Sequence, residues 1–115
     1  MSRDPALFLE DIKKSCEKII LFSEGLDIET LDSDAMRFDA ILFNLHVIGE
    51  AVKNLPQQFR DNHPEVAWRE IAGMRDFVAH AYFSLDLHIL WDAIQHDVPA
   101  LSESVGRILA SGETN

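Results

Sequence analysis

Apolar residues recur along most of the chain with the three-to-four-residue period of amphipathic helices. A first helix is predicted to begin at Asp4-Pro5, because Asp is a suitable N-cap and Pro suits the first helical position, and to stop near Gly25. Its apolar face consists of Leu9, Ile12, Cys16, Ile19 and Ile20. The charged residues between these positions are expected to face solvent.

A long second helix is predicted from about Asp34 to Leu55, capped by Ser33 or Asp34. Its apolar positions are Ala40, Ile41, Phe43, Leu45, Ile48, Ala51, Val52 and Leu55. They cover a wider surface than one neighbouring helix needs, so we expect this helix to be central. Gly49 lies inside it although Gly costs about 1 kcal/mol relative to Ala, and a close helix crossing would explain its position.

The segment from Pro56 to Pro64 is predicted to be a turn with one short helix, in which His63 is exposed. A third helix follows from about Val66 to Tyr82, and Gly73 within it would permit the close approach of another backbone.

A fourth helix is predicted to begin at a Ser84 cap and to be broken or kinked by Pro99. Asp97 should then restart a last helical piece that ends near Leu109. Neither a strand pattern nor a Gly-rich phosphate loop is evident, so the sequence predicts an all-helical protein.

Composition narrows the class of protein. With 115 residues, 47% hydrophobic and 26% charged, the chain is expected to be one globular domain over residues 1–110 with a disordered tail at 111–115. It has no apolar run long enough for a membrane span and no evident secretory signal. Its single cysteine, Cys16, lies in the amphipathic pattern and is interpreted as a buried small hydrophobe. We therefore expect a cytoplasmic protein.

The net charge of −10 argues against broad, nonspecific nucleic-acid binding, which depends on clustered Lys and Arg. The acidic residues are concentrated at the two ends, whereas residues 35–82 carry six Asp/Glu against five Lys/Arg. A polyanion would therefore bind the middle of the chain.

The middle of the chain also holds the strongest candidate chemistry, in the stretch IAGMRDFVAHAYF. Within it, Arg75, Asp76, His80 and Tyr82 fall in eight residues. Arg offers a planar fork of donors that matches phosphate, and His gains or loses a proton near neutral pH. Asp76 precedes His80 by four residues, so on a helix the carboxylate could hold the imidazole in one tautomer.

The spacing of Arg75 and His80 limits this interpretation. Five residues apart on one continuous helix, the two side chains would point about 140° away from each other. Either the helix distorts near His80, or a second copy of the helix supplies the missing partner at a two-fold interface. The alternative is that the cluster is a structural ion-pair network.

Two further polar sets have open interpretations. Arg37 and Asn44 share a face of the second helix and would either support the site or satisfy each other and nearby backbone. His88, Asp92 and His96 are spaced by four, which suits a metal site but is more typical of a solvated helix face.

The motif from Arg75 to Tyr82 resembles the Arg-x4-His-x-Tyr motif of HepT-like HEPN toxins, the partners of minimal nucleotidyltransferase (MNT) antitoxins. Four further stretches resemble this family in the same order: FLEDI at 8–12, NLHVIGEAVKNLP at 44–56, WREIAGMRD at 68–76 and WDAIQHDVPAL at 91–101. The resemblance therefore extends over nearly the whole chain, and the motif itself shows no departure from the family pattern.

The resemblance implies an all-α, antiparallel four-to-five-helix bundle of HEPN type that forms a homodimer. It also implies a metal-independent RNA endonuclease without a cofactor, in which Arg75 and His80 are catalytic. Asp76 and Tyr82 would support them, as would Arg37 and Asn44 if they reach the site. Tyr82 would be the residue that an MNT-type antitoxin modifies with nucleotidyl groups from ATP.

Two rival hypotheses remain from the sequence. The chain could be a noncatalytic helical subunit that presents substrate or nucleotide to a nucleotidyltransferase, or a purely structural dimer. Cleavage of RNA in EDTA by the wild type but not by His80→Ala would separate the enzyme from both.

Overall fold

The computed structural model describes residues 3–76 and 86–113, and within these ranges the ordered elements are all helical. They are α1 (Pro5–Ser23), α2 (Ala35–Asn54), α3 (Gln57–Asn62), α4 (Trp68–Ala72), a 3₁₀ turn (Gly73–Arg75), α5 (Leu87–Asp92), a π turn (Ala93–Asp97) and α6 (Val98–Ser111). The predicted all-helical fold class is confirmed. None of the helices in these ranges combines the length and apolar character that a membrane crossing requires.

Helices α1 and α2 form an antiparallel hairpin whose starts were correctly predicted. Asp4 caps α1 and Asp34 caps α2, each through a side-chain oxygen that accepts first-turn N–H groups. The Arg37 side chain, at the start of α2, donates to the carbonyl oxygens of Phe22 (2.8 Å) and Glu24 at the end of α1. Arg37 thus satisfies orphan carbonyl groups of α1 and holds the hairpin closed.

Helix α2 is central, as expected. Helix α1 packs on one side of it, and α4 with the 3₁₀ turn packs on another. Helix α6 packs on α1. Residues that are fully buried in this core include Leu9, Ile12, Ile19, Ile41, Leu45, Ile48, Val52, Leu90 and Ile94. Cys16 is fully buried too, and burial raises the pKa of its thiol to about 12, which confirms a packing role. Ile20, predicted on the buried face, is 37% exposed.

The third helix differs from its prediction because it is not one regular α-helix. It begins at Trp68 and tightens into the 3₁₀ turn at Gly73–Arg75, and the part predicted from residue 77 to Tyr82 lies outside the described residues. A Cβ placed on Gly73 would meet no described atom within 4 Å, so the close backbone approach predicted there is not found within this part of the chain.

The fourth helix also differs from its prediction. Asp86 is the N-cap of α5, accepting the His88 N–H at 2.8 Å, while the predicted cap Ser84 lies outside the described residues. Pro99 does not break the helix, because the π turn precedes it and places Pro99 in the first turn of α6, where its missing N–H is not needed. The last helical piece does begin after Asp97, as predicted, although the Asp97 side chain makes no cap bond there.

His63 was predicted to be exposed and is instead buried at 6% exposure. Its ring lies 4.6 Å from the Phe59 ring, its Nε2 is 3.1 Å from the carbonyl oxygen of Glu113, and its own carbonyl accepts Trp68 Nε1–H at 2.9 Å. The prediction failed because the aromatic side chains that bury His63 lie on both flanks of its loop. Residues 114–115 lie outside the described residues.

Candidate active site around Arg75

Arg75 ends the 3₁₀ turn and lies against the middle of the second helix. Its side chain is 37% exposed, and NH1 donates to Glu50 Oε1 at 3.1 Å. On the other edge of the guanidinium, Asp76 Oδ1 lies 3.8 Å from Nε. The guanidinium is thus flanked by two carboxylates and still reaches solvent.

Gly49 explains why Arg75 can come so close to α2. A Cβ at Gly49 would lie 2.7 Å from the backbone nitrogen of Arg75 and 2.9 Å from the carbonyl oxygen of Ala72. No side chain fits there, so the predicted close crossing at Gly49 is confirmed. Since Glu50 is the next residue of α2, the crossing brings a carboxylate directly beside the guanidinium.

The charge state of Glu50 follows from this contact. The hydrogen bond from Arg75 lowers the pKa of the Glu50 carboxyl, desolvation acts in the opposite direction, and the positive charges of Arg75 and Lys53 lower this pKa further. Glu50 is therefore an anion near neutral pH, and the Arg75 contact is a charge-assisted hydrogen bond.

A groove of about 370 Å³ runs along α2 from Glu50 toward the start of α1. Its lining includes Arg3, Phe8, Phe43, His46 and Glu50. The Arg3 guanidinium lies 4.8 Å from the centre of the Phe8 ring, and Phe43 is 63% exposed. This groove therefore presents aromatic and polar groups beside the Arg75–Glu50 pair.

The structure does not bring every predicted site residue to Arg75. Arg37 lies thirteen residues before Glu50 on α2, which is about 20 Å along the helix axis. Asn44 is buried, and its Nδ2 donates to the Ala40 carbonyl at 2.8 Å. Both side chains therefore bond to backbone, which was one of the two interpretations left open, and a supporting role in the site stays a prediction.

The other half of the predicted motif, His80 and Tyr82, lies outside the described residues. Among the described residues, no group of three His, Cys, Asp or Glu side chains is placed to hold a metal ion. The spacing of His88 and His96 assumed a regular α-helix, whereas the π turn Ala93–Asp97 intervenes and changes their relative direction.

Sequence reasoning missed Glu50 and His46 as neighbours of the site. His46 precedes Glu50 by one turn, and its buried Nδ1 makes no hydrogen bond with any described residue. The sequence did contain one signal for Glu50. A glycine inside a helix indicates a close crossing, and Glu50 is the charged residue directly after Gly49, so the crossing places its side chain beside the segment that packs there.

A partly exposed arginine, held at a helix crossing of an all-helical domain, defines a candidate site for phosphate chemistry. The family model described as "Ribonuclease HepT-like" matches residues 12–108. The chain therefore belongs to the HepT-like ribonuclease family, as the motif resemblance predicted.

Individual relatives agree with this assignment. The chain is 41% identical over 107 residues to a protein of Caldanaerobacter subterraneus subsp. tengcongensis whose name describes it as an RNase, covering 93% of this chain and 96% of that relative. It is also 41% identical over 101 residues to a protein of Thermococcus cleftensis named as ribonuclease HepT, covering 88% and 92%. No solved structure matches the chain.

Proposed function

We propose that this protein is the toxin of a toxin–antitoxin pair and acts in the cytoplasm as a metal-independent RNA endonuclease. The observation that carries the proposal is the Arg75 guanidinium, partly exposed and held at the Gly49 crossing in a chain of the HepT-like ribonuclease family. RNA carries its own nucleophile, the 2′-OH, so cleavage requires no metal-bound water.

In the proposed reaction His80 takes the proton from the 2′-OH, whose oxygen attacks the adjacent phosphorus while the bond to the 5′-oxygen breaks. The products are a 2′,3′-cyclic phosphate and a 5′-OH end, after a proton is returned to the leaving oxygen. Arg75 stabilises the charge that develops on the phosphate oxygens. Asp76 orients His80, and Tyr82 positions RNA by stacking or through its hydroxyl.

We further propose that the active form is a homodimer with these residues in a shared cleft. Met36 and Phe43, seven residues apart on one face of α2, are 82% and 63% exposed. Apolar side chains this exposed on a central helix favour coverage by a second copy. Sedimentation that shows only a monomer at working concentration would contradict this arrangement.

Control of the toxin is proposed to rest with an MNT-type nucleotidyltransferase antitoxin that uses ATP to modify Tyr82. A nucleotidyl group adds bulk and negative charge near Arg75, so its phosphate would compete with RNA for the guanidinium. Intact mass after incubation with the antitoxin and ATP tests this, since the wild type should gain mass and Tyr82→Phe should not.

The ribonuclease proposal is tested by incubating RNA with the purified protein in EDTA. We expect cleavage by the wild type, none by Arg75→Ala or His80→Ala, and full cleavage by Arg69→Ala, a matched change of an exposed arginine on α4. Cleavage by Arg75→Ala at the wild-type rate would remove Arg75 from the mechanism.

Two observations favour the noncatalytic alternative, in which the chain presents substrate or nucleotide to a nucleotidyltransferase. Two carboxylates flank Arg75, and the chain carries a net charge of −10, both of which weaken attraction for a polyanion. Under this alternative the wild type would leave RNA intact in the same assay yet still bind the nucleotidyltransferase.

A further inference from the structure

Glu50 contacts Arg75 across the helix crossing, although 25 residues separate them in sequence. We infer that Glu50 is a positioning residue for the proposed ribonuclease reaction: its carboxylate holds the Arg75 guanidinium so that the remaining N–H groups face the RNA phosphate. This inference rests on the proposed function and goes beyond it, since it assigns a role to a residue outside the Arg75–Tyr82 motif.

The nitrogens of the Arg75 guanidinium have different surroundings. NH1 donates to Glu50 Oε1 at 3.1 Å, and Nε faces Asp76 Oδ1 at 3.8 Å. No residue of the described ranges bonds to NH2. One terminal nitrogen of the planar guanidinium is therefore fixed by α2, and in the inferred role the other, NH2, would bond the RNA phosphate.

The backbone contact at Gly49 is not sufficient to place the guanidinium. Gly49 fixes where the Arg75 backbone nitrogen lies, but the arginine side chain has several rotatable bonds beyond that point. Glu50, the next residue on α2, restrains the far end of the same side chain. Gly49 thus sets the position of the Arg75 backbone, and Glu50 restrains its guanidinium.

A purely structural ion pair is the competing explanation, and exposure argues against it. The two side chains are 37% and 41% exposed, and ion pairs at such positions contribute little to folding. Removing the carboxylate should therefore leave the fold intact while freeing the guanidinium to rotate. Such a change affects the transition state more than substrate binding, because catalytic charge stabilisation depends on a preorganised donor.

The chain provides a matched control on α6. Glu103 accepts from Arg107 NH1 at 2.7 Å in a pair of the same residue types, with both side chains more exposed. Replacing Glu103 removes an identical carboxylate from a surface pair outside the site.

The test compares steady-state cleavage of one labelled RNA oligonucleotide by the wild type, Glu50→Ala, Glu50→Gln and Glu103→Ala. We expect kcat of Glu50→Ala to fall at least about tenfold with KM changed less than about threefold, which marks loss of an interaction made mainly in the transition state. Glu50→Gln should recover most of kcat because its amide oxygen still accepts from NH1. Glu103→Ala should match the wild type.

A second measurement does not depend on activity. The side-chain Nε–H signal of Arg75 in ¹⁵N-edited NMR spectra, assigned by its loss in Arg75→Lys, should move in Glu50→Ala and stay in place in Glu103→Ala. If the Arg75 signal does not move in Glu50→Ala, the contact between Glu50 and Arg75 is contradicted.

The possible failures can be told apart. If the wild type cleaves RNA and Glu50→Ala cleaves it with kcat within threefold, the inference fails and the proposed function stands. If the wild type cleaves no RNA, the proposed function fails and the inferred role in cleavage fails with it, whatever the NMR signal shows about the contact.

Discussion

Two glutamate–arginine pairs of this protein have the same chemistry and different origins. Glu103 and Arg107 are four residues apart on α6, with NH1 and Oε1 at 2.7 Å, whereas Glu50 and Arg75 are 25 residues apart and meet at 3.1 Å. The α6 pair follows from helix periodicity alone. The α2 pair exists only because Gly49 lets the backbone of Arg75 approach α2. The Glu50–Arg75 contact therefore depends on the tertiary fold and not on helix periodicity.

The largest expected difference between the two pairs is in catalysis. Arg75→Lys keeps the positive charge but loses the planar fork, so we expect RNA cleavage to fall about 10²–10³-fold, the range found when one preorganised transition-state donor is removed. Arg107→Lys should leave cleavage unchanged. Comparable rates for the two variants, measured on the same RNA, would show that the Arg75 fork has no special role.

The next effect concerns the crossing that creates the α2 pair. Gly49→Ala gains up to about 1 kcal/mol of helix propensity, but its Cβ would lie 2.7 Å from backbone, and overpacking typically costs about 1–3 kcal/mol. We expect net destabilisation and loss of cleavage.

The control for the crossing is Gly106→Ala on α6. A Cβ there would lie 3.4 Å from Nζ at the far end of the Lys13 side chain, which can shift at little cost, so the propensity gain should prevail and raise stability. Denaturant unfolding of both variants measures the contrast. Equal shifts in the same direction would contradict the difference between the two glycines.

An effect on stability alone, without loss of cleavage, is expected at His63, whose long-range contacts lie in the loop before α4. His63→Ala removes the contact with the Glu113 carbonyl and part of the packing on Phe59, so we expect a loss of about 1–3 kcal/mol in unfolding free energy. The rate of RNA cleavage at a temperature where the variant is folded should not change. A large loss of cleavage with normal stability would place His63 in the active site.

The smallest effect is the pH dependence of the Glu50–Arg75 pair. Arg75 lowers the pKa of folded Glu50 below its usual 4.5, so the folded state binds fewer protons than the unfolded state. The contribution of this pair to folding stability is therefore fully present above about pH 4.5, and it is lost as the pH falls through the pKa of Glu50 in the folded state. The difference in unfolding free energy between wild type and Glu50→Gln should shrink from pH 6 to pH 3.

The local features of the fold were predictable because they depend on neighbouring residues. Asp4 and Asp34 cap their helices as expected, since capping needs only a side-chain oxygen and the next two or three N–H groups. The crossing at Gly49 was predictable because a glycine inside a helix is unfavourable without a packing reason. The family motif predicted Arg75, His80 and Tyr82 as site residues, and the catalytic or supporting roles of all three stay predictions.

The features that were not predictable depend on segments far apart in sequence. The burial of His63 needs aromatic side chains on both sides of a loop, and the π turn before Pro99 allows a helix to continue where local rules indicate a break.

The amino-acid sequence by itself determined the helical class, the starts of α1 and α2, the central position of α2 and the choice of Arg75 as the candidate arginine. Periodicity, caps and the cost of a helical glycine act over one to a few turns, so they are present in any stretch of sequence. Only the tertiary structure decided that Glu50 is the partner of Arg75 and that the Arg37 side chain bonds to the end of α1 and closes the α1–α2 hairpin. A side chain that meets a residue 25 positions away does so because two helices cross, and a linear pattern does not specify which residues face each other at a crossing.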